Sequence, residues 1–178
     1  MTTDLADKAD SRPWHERTWV DLCRGGLDRY PWLPVAFIVL LYLLGFQSQW
    51  RIGPDSAHYV EVARSLAAGE GYRYQGTPEG LLWPGLPWLM AVVFRFAGDQ
   101  AFAVLNAVML IFAAVGLSCW YRTLRFSLDR ADALAVLTLT ALCETVFLFS
   151  FHVLTDIPFF AGVMMMLAGY EGWVTRDS

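Results

Sequence analysis

The stretch WLPVAFIVLLYLLGFQ, residues 32–47, decides the class of fold because its centre is an unbroken apolar run. A helix needs ~20 mostly apolar residues to cross ~30 Å of hydrocarbon. Extension to Trp50 supplies that length, and Trp32 and Trp50 are of the residue type that anchors helix ends at a membrane interface. The run follows a long charged lead and ends without a small-residue cleavage site, so we expect it to remain as a membrane anchor.

The composition of the whole chain agrees with a membrane protein. Hydrophobic residues make up 56% and charged residues 17% of its 178 residues, and a soluble core of this length does not need so many apolar side chains. The formal net charge is −4 and no basic cluster is present, so no nucleic acid is expected as a partner. The three cysteines fit no zinc or redox spacing.

Three later apolar runs, residues 100–121, 131–151 and 155–174, are also long enough to span. Together with the first run they predict an all-α, polytopic bundle of about four spanning helices in the lipid bilayer. Residues 1–30 are polar and mixed in charge and are predicted to be a cytoplasmic tail. Residues 31–178 are then one transmembrane domain.

The topology depends on residues 81–97, an apolar segment interrupted by prolines. If this segment spans, the loop with Arg122, Arg125 and Arg130 lies opposite the basic N-terminus, against the positive-inside tendency. If it lies along the membrane or dips in and returns, the tail and the arginine loop are both cytoplasmic. We adopt the second interpretation. It puts residues 51–97 and Asp156 outside the plasma (inner) membrane, with juxtamembrane helices in that first outer loop.

Two acids on this predicted outer surface, Asp55 and Asp156, each begin a helical segment and have a histidine nearby, His58 and His152. On a helix, Asp55, His58 and Tyr59 share a face because residues three and four apart are neighbours. A carboxylate beside an imidazole and a phenol can accept a proton or hold a cation. Helix capping is the alternative role for both aspartates.

Further candidates lie within the third run and in the outer loop. Glu144 is predicted to be an intramembrane carboxylate, which is a functional candidate because burying it is costly; a protonated, hydrogen-bonded glutamate is the alternative. Asn106 is expected to link helices. The loop offers aromatic and polar side chains of the kind that contact sugars and phosphates, and a Tyr/Trp interfacial belt is the alternative. These loop candidates are Tyr72, Arg73, Tyr74, Gln75, Glu79 and Trp83.

Three ordered motifs carry a family resemblance: GPDSAHYVEVARSLAAGEGY at residues 53–72, WPGLPWL at 83–89 and LTDIPFF at 154–160. Their order and spacing resemble the dolichyl-phosphate-mannose–protein mannosyltransferase-like superfamily of GT-C membrane glycosyltransferases, which includes the aminoarabinose transferases. The resemblance covers roughly residues 30–175. Two departures are Ser56, where many relatives have a second acid, and Trp83, where aminoarabinose transferases have lysine.

The resemblance implies transfer of a sugar from a polyprenyl-phosphate donor on the outer face, with inversion at the anomeric carbon. It makes Asp55 and Asp156 the catalytic acids. Asp55 acts as base or orients the acceptor, Asp156 helps to bind the donor phosphate region, and Tyr59 and Glu61 have a supporting role. Whether Asp55 and Asp156 also hold a divalent metal ion is left open. Relatives have more helices, so residues 31–178 are expected to correspond to the N-terminal part of their transmembrane domain. A second chain that supplies the other helices is a further expected partner. Alternatives are a non-catalytic subunit or remnant of such an enzyme and, more remotely, an ion pathway through Glu144. The substrate-binding set then comprises His58, Tyr59, Glu61, Tyr72, Arg73, Glu79, Trp83 and His152.

Overall fold

The computed structural model describes residues 18–51, 53 and 55–174, and these are mostly helical, as predicted. The only strands in that part of the chain form a short antiparallel hairpin, in which Arg73 pairs with Pro78. The elements in chain order are α1 (Trp19–Arg29), α2 (Trp32–Gly45), α3 (Ser56–Ala68), β1 (Arg73–Tyr74), β2 (Thr77–Pro78), α4 (Gly85–Ala97), α5 (Phe102–Ser127), α6 (Arg130–Leu142), α7 (Glu144–Phe149) and α8 (Asp156–Val174).

Two of the described helices, α5 and α8, are long and apolar enough to cross a membrane. A third crossing exists if α1 and α2, which meet at a bend of 82°, count as one broken span. The structure therefore supports a membrane protein with two or three spans among the described residues and does not confirm four. The predicted topology also makes Arg176 cytoplasmic; this residue and most of the predicted tail, residues 1–17, lie outside the described residues.

The third predicted span, residues 131–151, is not one helix, which corrects the sequence interpretation. Cys143 has an extended conformation with φ −56° and ψ 130°, and it divides the run into α6 of 13 residues and α7 of six. Before the break, the hydroxyl groups of Thr138 and Thr140 donate to the carbonyls of Leu134 and Val136. Such bonds from Thr to the carbonyl four residues earlier favour bending of a helix.

The direction of the chain follows from the contacts of α5 with α8, which form the most extensive helix pair in the described part. Gly116 faces Phe160, and Arg122 approaches Gly172, so α5 and α8 run in the same direction. The segment α6–α7 must therefore return the chain from the end near Ser127 to the end near Asp156.

At the end where α2 finishes and α5 begins, Asn106 holds the helices together as expected. Its side-chain amide donates to the carbonyls of Gln47, at 2.8 Å, and Gln49, at 3.0 Å. Next to it, the Trp50 ring stacks on Phe102 with centroids 5.3 Å apart. We call this end of the bundle the aspartate end, because Asp55 and Asp156 both belong to it.

Within residues 81–97, only Gly85–Ala97 is helical, and this helix, α4, has 13 residues, fewer than the ~20 that cross a bilayer. One face of α4 packs on α3 and on the start of α5, and its juxtamembrane position stays a prediction. Gly69, in the left-handed conformation at φ 82°, ends α3 and turns the chain toward the hairpin. The shared core of this unit contains Val60, Ala63, Leu86, Met90, Phe94, Leu105 and Met109.

At the opposite end, α1 is fixed to the start of α6. The Arg24 guanidinium donates to Asp129 at 2.9 Å and to both carboxylate oxygens of Asp132. Asp129 also caps α6, accepting from the Asp132 amide at 3.0 Å. Because Arg122, Arg125 and Arg130 lie in or beside the connection from α5 to α6, we call this the arginine end.

Candidate functional site

The two predicted catalytic acids lie at the same end of the bundle. A Cβ atom at Gly53 would lie 3.8 Å from Leu154 and 3.9 Å from His152, so the segment before α3 touches the segment before α8. Between these contacts, Val153 is buried in the core beneath α3. From the sequence, the two acids were expected on one surface only through the predicted topology. In the structure, the packing of Val153 under α3 holds the segment before α8 beside the segment before α3.

Asp55 occupies the N-cap position of α3 but its side chain makes no capping hydrogen bond, so the capping alternative is wrong. Its backbone is helical, with φ −97° and ψ −14°, whereas a capping residue is normally extended. The neighbouring Ser56 closes the turn instead: its buried hydroxyl accepts from the Gly53 amide at 2.7 Å and donates to the Gly53 carbonyl at 2.9 Å. Among the described residues the exposed Asp55 carboxylate has no hydrogen-bond or ion-pair partner.

Asp156 is also exposed and is the first residue of α8, as the Thr-Asp-Ile-Pro pattern predicts. A carboxylate in the first turn is favoured by the helix dipole. His152, four residues earlier, bonds through Nδ1 to the Leu148 carbonyl at 2.8 Å. Its other ring nitrogen has no bond to any described residue, and its ring carbon approaches the Gly53 backbone.

A second group of predicted residues, His58 and Glu79, forms a direct pair. The His58 Nε2 atom lies 2.5 Å from Glu79 Oε2, and the side chain of Glu79 is only 5% exposed against 26% for His58. The Tyr74 ring covers the imidazole with its centroid 3.8 Å away. Beside them, the Tyr72 hydroxyl donates to the Leu82 carbonyl at 2.9 Å. The hairpin is thereby attached to α3.

The electrostatics of this pair follow from its hydrogen bonds. The backbone N–H of Leu81 donates to Glu79 and lowers the pKa of that carboxyl below its usual range. Burial opposes this shift, and the bonds from His58 and from the Leu82 amide add to it. Burial, with a smaller contribution from the charge of Glu79, raises the pKa of Tyr72.

We expect the loop around Glu79 to lose order in acid. A carboxyl whose pKa is lowered on folding contributes stability above its unfolded pKa, ~4.3 for Glu, and loses it as pH falls through the lower folded pKa. Amide-exchange protection at Leu81 and Leu82, the two donors to Glu79, should therefore fall below about pH 4. Glu79→Gln should lack this acid transition, whereas Glu70→Gln, an exposed carboxylate nearby, should retain it. An unchanged acid transition in Glu79→Gln contradicts this assignment.

Tyr59 does not share an open face with Asp55 and His58, which corrects the helix-face prediction. Its side chain is 9% exposed and belongs to the core formed with α4 and α5. Successive helix residues are about 100° apart, so His58 can face the hairpin while Tyr59 faces the core. Tyr59 therefore supports the position of α3 and does not reach a substrate from this site.

Of the remaining loop candidates, Glu61 and Arg73 make hydrogen bonds to the hairpin and Trp83 does not. Glu61 accepts from the Gln75 amide at 3.1 Å, and Arg73 donates to the Gly76 carbonyl at 3.2 Å while staying exposed. Trp83 is 85% exposed and makes no such contact, which leaves it free for the predicted interfacial role. Glu144, predicted inside a spanning helix, is instead an exposed first residue of α7, because the break at Cys143 precedes it.

Sequence reasoning missed a polar depression of about 300 Å³ between α3 and the hairpin. Glu61, Arg73 and Gln75 were already candidates, whereas Arg64, Ser65 and Glu70 were not. The Nε atom of Arg64 is buried there without a hydrogen-bond partner in the described structure. The helical spacing of residues 61, 64 and 65 is the signal that would have grouped them.

No group of three or more metal-ligating side chains is present among residues 18–51, 53 and 55–174. Two exposed carboxylates on separate segments do not by themselves form a metal site. Comparison of the chain with protein-family models, with curated proteins and with solved structures finds no match.

Proposed function

We propose that this chain carries the donor-binding and catalytic face of a membrane glycosyltransferase that takes its sugar from a polyprenyl-phosphate donor. The proposal rests on the approach of Gly53 to His152 and Leu154, which brings Asp55 and Asp156 to one end of an apolar bundle. Both aspartates are exposed; Asp55 makes no capping hydrogen bond, and Asp156 is the first residue of α8. The motif resemblance at residues 53–72, 83–89 and 154–160 supplies the reaction class.

In the proposed reaction, Asp55 acts as the general base. The acceptor hydroxyl oxygen attacks the anomeric carbon from the side opposite the phosphate, and its proton passes to the Asp55 carboxylate. The bond from the anomeric carbon to the phosphate oxygen breaks, and its electron pair leaves with polyprenyl phosphate, so the configuration inverts. The lack of a capping bond at Asp55 supports this role, because nothing in the described structure occupies its oxygens.

The donor phosphate requires a cation, since Asp55 and Asp156 would otherwise repel it. Arg73 is exposed at the hairpin and uses one guanidinium nitrogen on the Gly76 carbonyl. An arginine fork suits a phosphate because it offers several parallel N–H donors. The His58–Glu79 pair holds that hairpin against α3 and is assigned a positioning role.

A non-catalytic membrane subunit is the second candidate, and the exposed apolar face of α4 favours it. Trp88, Val92 and Phe96 are exposed at helical spacing on the side of α4 away from the core. Such a patch can pack against another protein as well as against lipid. This candidate predicts no specific recognition of the donor.

Photo-crosslinking tests donor recognition independently of turnover. The probe is a short-chain polyprenyl-phosphate mannose with a benzophenone in its isoprenoid tail, added to membranes that contain the full chain. We expect crosslinked peptides from residues 53–83 or 152–160, with labelling competed by polyprenyl phosphate and not by polyprenol. Labelling that polyprenol removes equally well, or that misses both segments, contradicts the proposal and favours the subunit.

A further inference from the structure

A long apolar groove of about 920 Å³ runs along the bundle between α2, α5 and α6. Its walls include Val35, Val39 and Leu43 on α2, Ala114 on α5, and Leu134 on α6. This volume lies at the upper end of the ~300–1,000 Å³ typical of ligand pockets. The groove is distinct from the site with Asp55 and Asp156, none of whose residues line it.

The groove has one charged lining residue, Arg130, at the arginine end; toward the other end, the Tyr42 hydroxyl already donates to the Ala141 carbonyl at 2.9 Å. At the arginine end, Arg130 lies with Tyr121, close to the start of α2. Ser118 also lines the groove, but its hydroxyl already donates a hydrogen bond to the Ala114 carbonyl at 2.7 Å. The rest of the lining is almost entirely apolar, so the groove has the polarity of an amphiphile, with one charged end and a long hydrocarbon wall.

Arg130 is an unneutralised cation in the described structure. The acids on either side of it, Asp129 and Asp132, are both bound by Arg24. Arg125, at the same end, donates to the Leu128 carbonyl, and Arg122 approaches Gly172. Within residues 18–51, 53 and 55–174, no hydrogen bond or ion pair joins Arg130 to another residue. The helix dipole also disfavours a cation at the first residue of a helix, so binding of an external anion to Arg130 would be stabilising.

The length of the groove distinguishes between possible occupants. From Trp32 to Leu43, α2 rises about 17 Å, since each helical residue adds ~1.5 Å. One leaflet is about half of the ~30 Å hydrocarbon core. A spanning helix from another chain would need the full thickness, whereas an acyl chain of a single leaflet needs about what the groove offers.

We propose that this groove binds an anionic phospholipid from the leaflet at the arginine end. Its acyl chains lie along α2, α5 and α6, and its phosphate contacts the Arg130 guanidinium and the Tyr121 hydroxyl. The donor of the proposed glycosyl transfer belongs to the opposite end, so this inference does not rest on that function. The bound lipid would fill the space between α2 and α5 and hold α1 at the membrane surface.

Native mass spectrometry of the full chain in detergent tests this proposal, with phosphatidylglycerol and phosphatidylcholine of matched acyl chains added in equal amounts. We expect the wild type to retain phosphatidylglycerol preferentially. Arg130→Gln should reduce that preference about tenfold, the value of one charge-assisted hydrogen bond, and Arg125→Gln should leave it unchanged. Ala114→Phe, which fills the apolar wall, should reduce retention of both lipids.

Three outcomes overturn the proposal. The first is an equal preference in Arg130→Gln and the wild type, and the second is full lipid retention by Ala114→Phe. The third is a dimer that carries no lipid and that Ala114→Phe dissociates, since the groove would then be an interface between two copies. Circular dichroism and the elution volume of each variant establish that the helices remain folded, so a loss of lipid reports on the groove itself.

Discussion

Asp55→Asn is expected to lower sugar transfer by about 10²–10⁴-fold, the usual contribution of a general base. The assay measures transfer from radiolabelled short-chain polyprenyl-phosphate mannose to membrane acceptors in cells that express the full chain. Asparagine keeps the size of the side chain and removes only its ability to take a proton. Because Asp55 makes no capping bond, the substitution should leave α3 intact.

Two comparison variants make the Asp55 result specific. Asp156→Asn should also reduce transfer, with a larger effect on the KM for the donor than on kcat if its role is in the phosphate region. Asp99→Asn removes an exposed carboxylate at the same end of the bundle, outside the candidate site, and should leave transfer unchanged. Undiminished transfer in Asp55→Asn would remove the catalytic assignment.

The largest effect on stability is expected at Gly116, where α5 meets α8. A Cβ atom there would lie 2.6 Å from the Phe160 ring and 3.2 Å from the Ala161 backbone. Overpacking of this kind costs about 1–3 kcal/mol, so Gly116→Ala should lower the free energy of unfolding by that amount. The measurement is equilibrium unfolding in mixed micelles of increasing SDS fraction, followed by circular dichroism.

Gly162→Ala is the matched control, because it lies on α8 with no atom within 4 Å of the added Cβ. Alanine is the better helix former by about 1 kcal/mol, so this control should be neutral or stabilising. Equal unfolding curves for the two variants would show that α5 and α8 do not pack as described.

Local sequence signals predicted several elements well. The pattern Thr-Asp-Ile-Pro places the start of α8 at Asp156, and glycine at position 69 ends α3 in the left-handed conformation that it adopts easily. The break at Cys143 carries no such signal, since neither glycine nor proline stands there. Threonine bonding to preceding carbonyls becomes visible only in the structure.

The residues of the candidate site could be predicted from the sequence, but their contacts could not. Its residues were found by type and by helical spacing, but their partners depend on packing between segments distant in sequence. His58 meets Glu79 because the hairpin folds back on α3, and Tyr59 turns inward because α4 and α5 cover that side. Likewise, the Ser56 hydroxyl closes the turn that precedes α3, because the chain places the Gly53 amide and carbonyl beside it.

We expect Asp55 and Asp156 to lie at one membrane surface and the arginines of the arginine end to lie at the other. Single-cysteine labelling with a membrane-impermeant maleimide tests this arrangement most directly, in a background with Cys23, Cys119 and Cys143 replaced by serine. The exposed probe sites are Ala57→Cys, Gln100→Cys and Ser127→Cys. We predict that the first two label in intact cells and that the third labels only after permeabilisation. If Gln100→Cys also requires permeabilisation while Ala57→Cys does not, residues 81–97 cross the membrane, the two aspartates lie on opposite faces, and the account is contradicted.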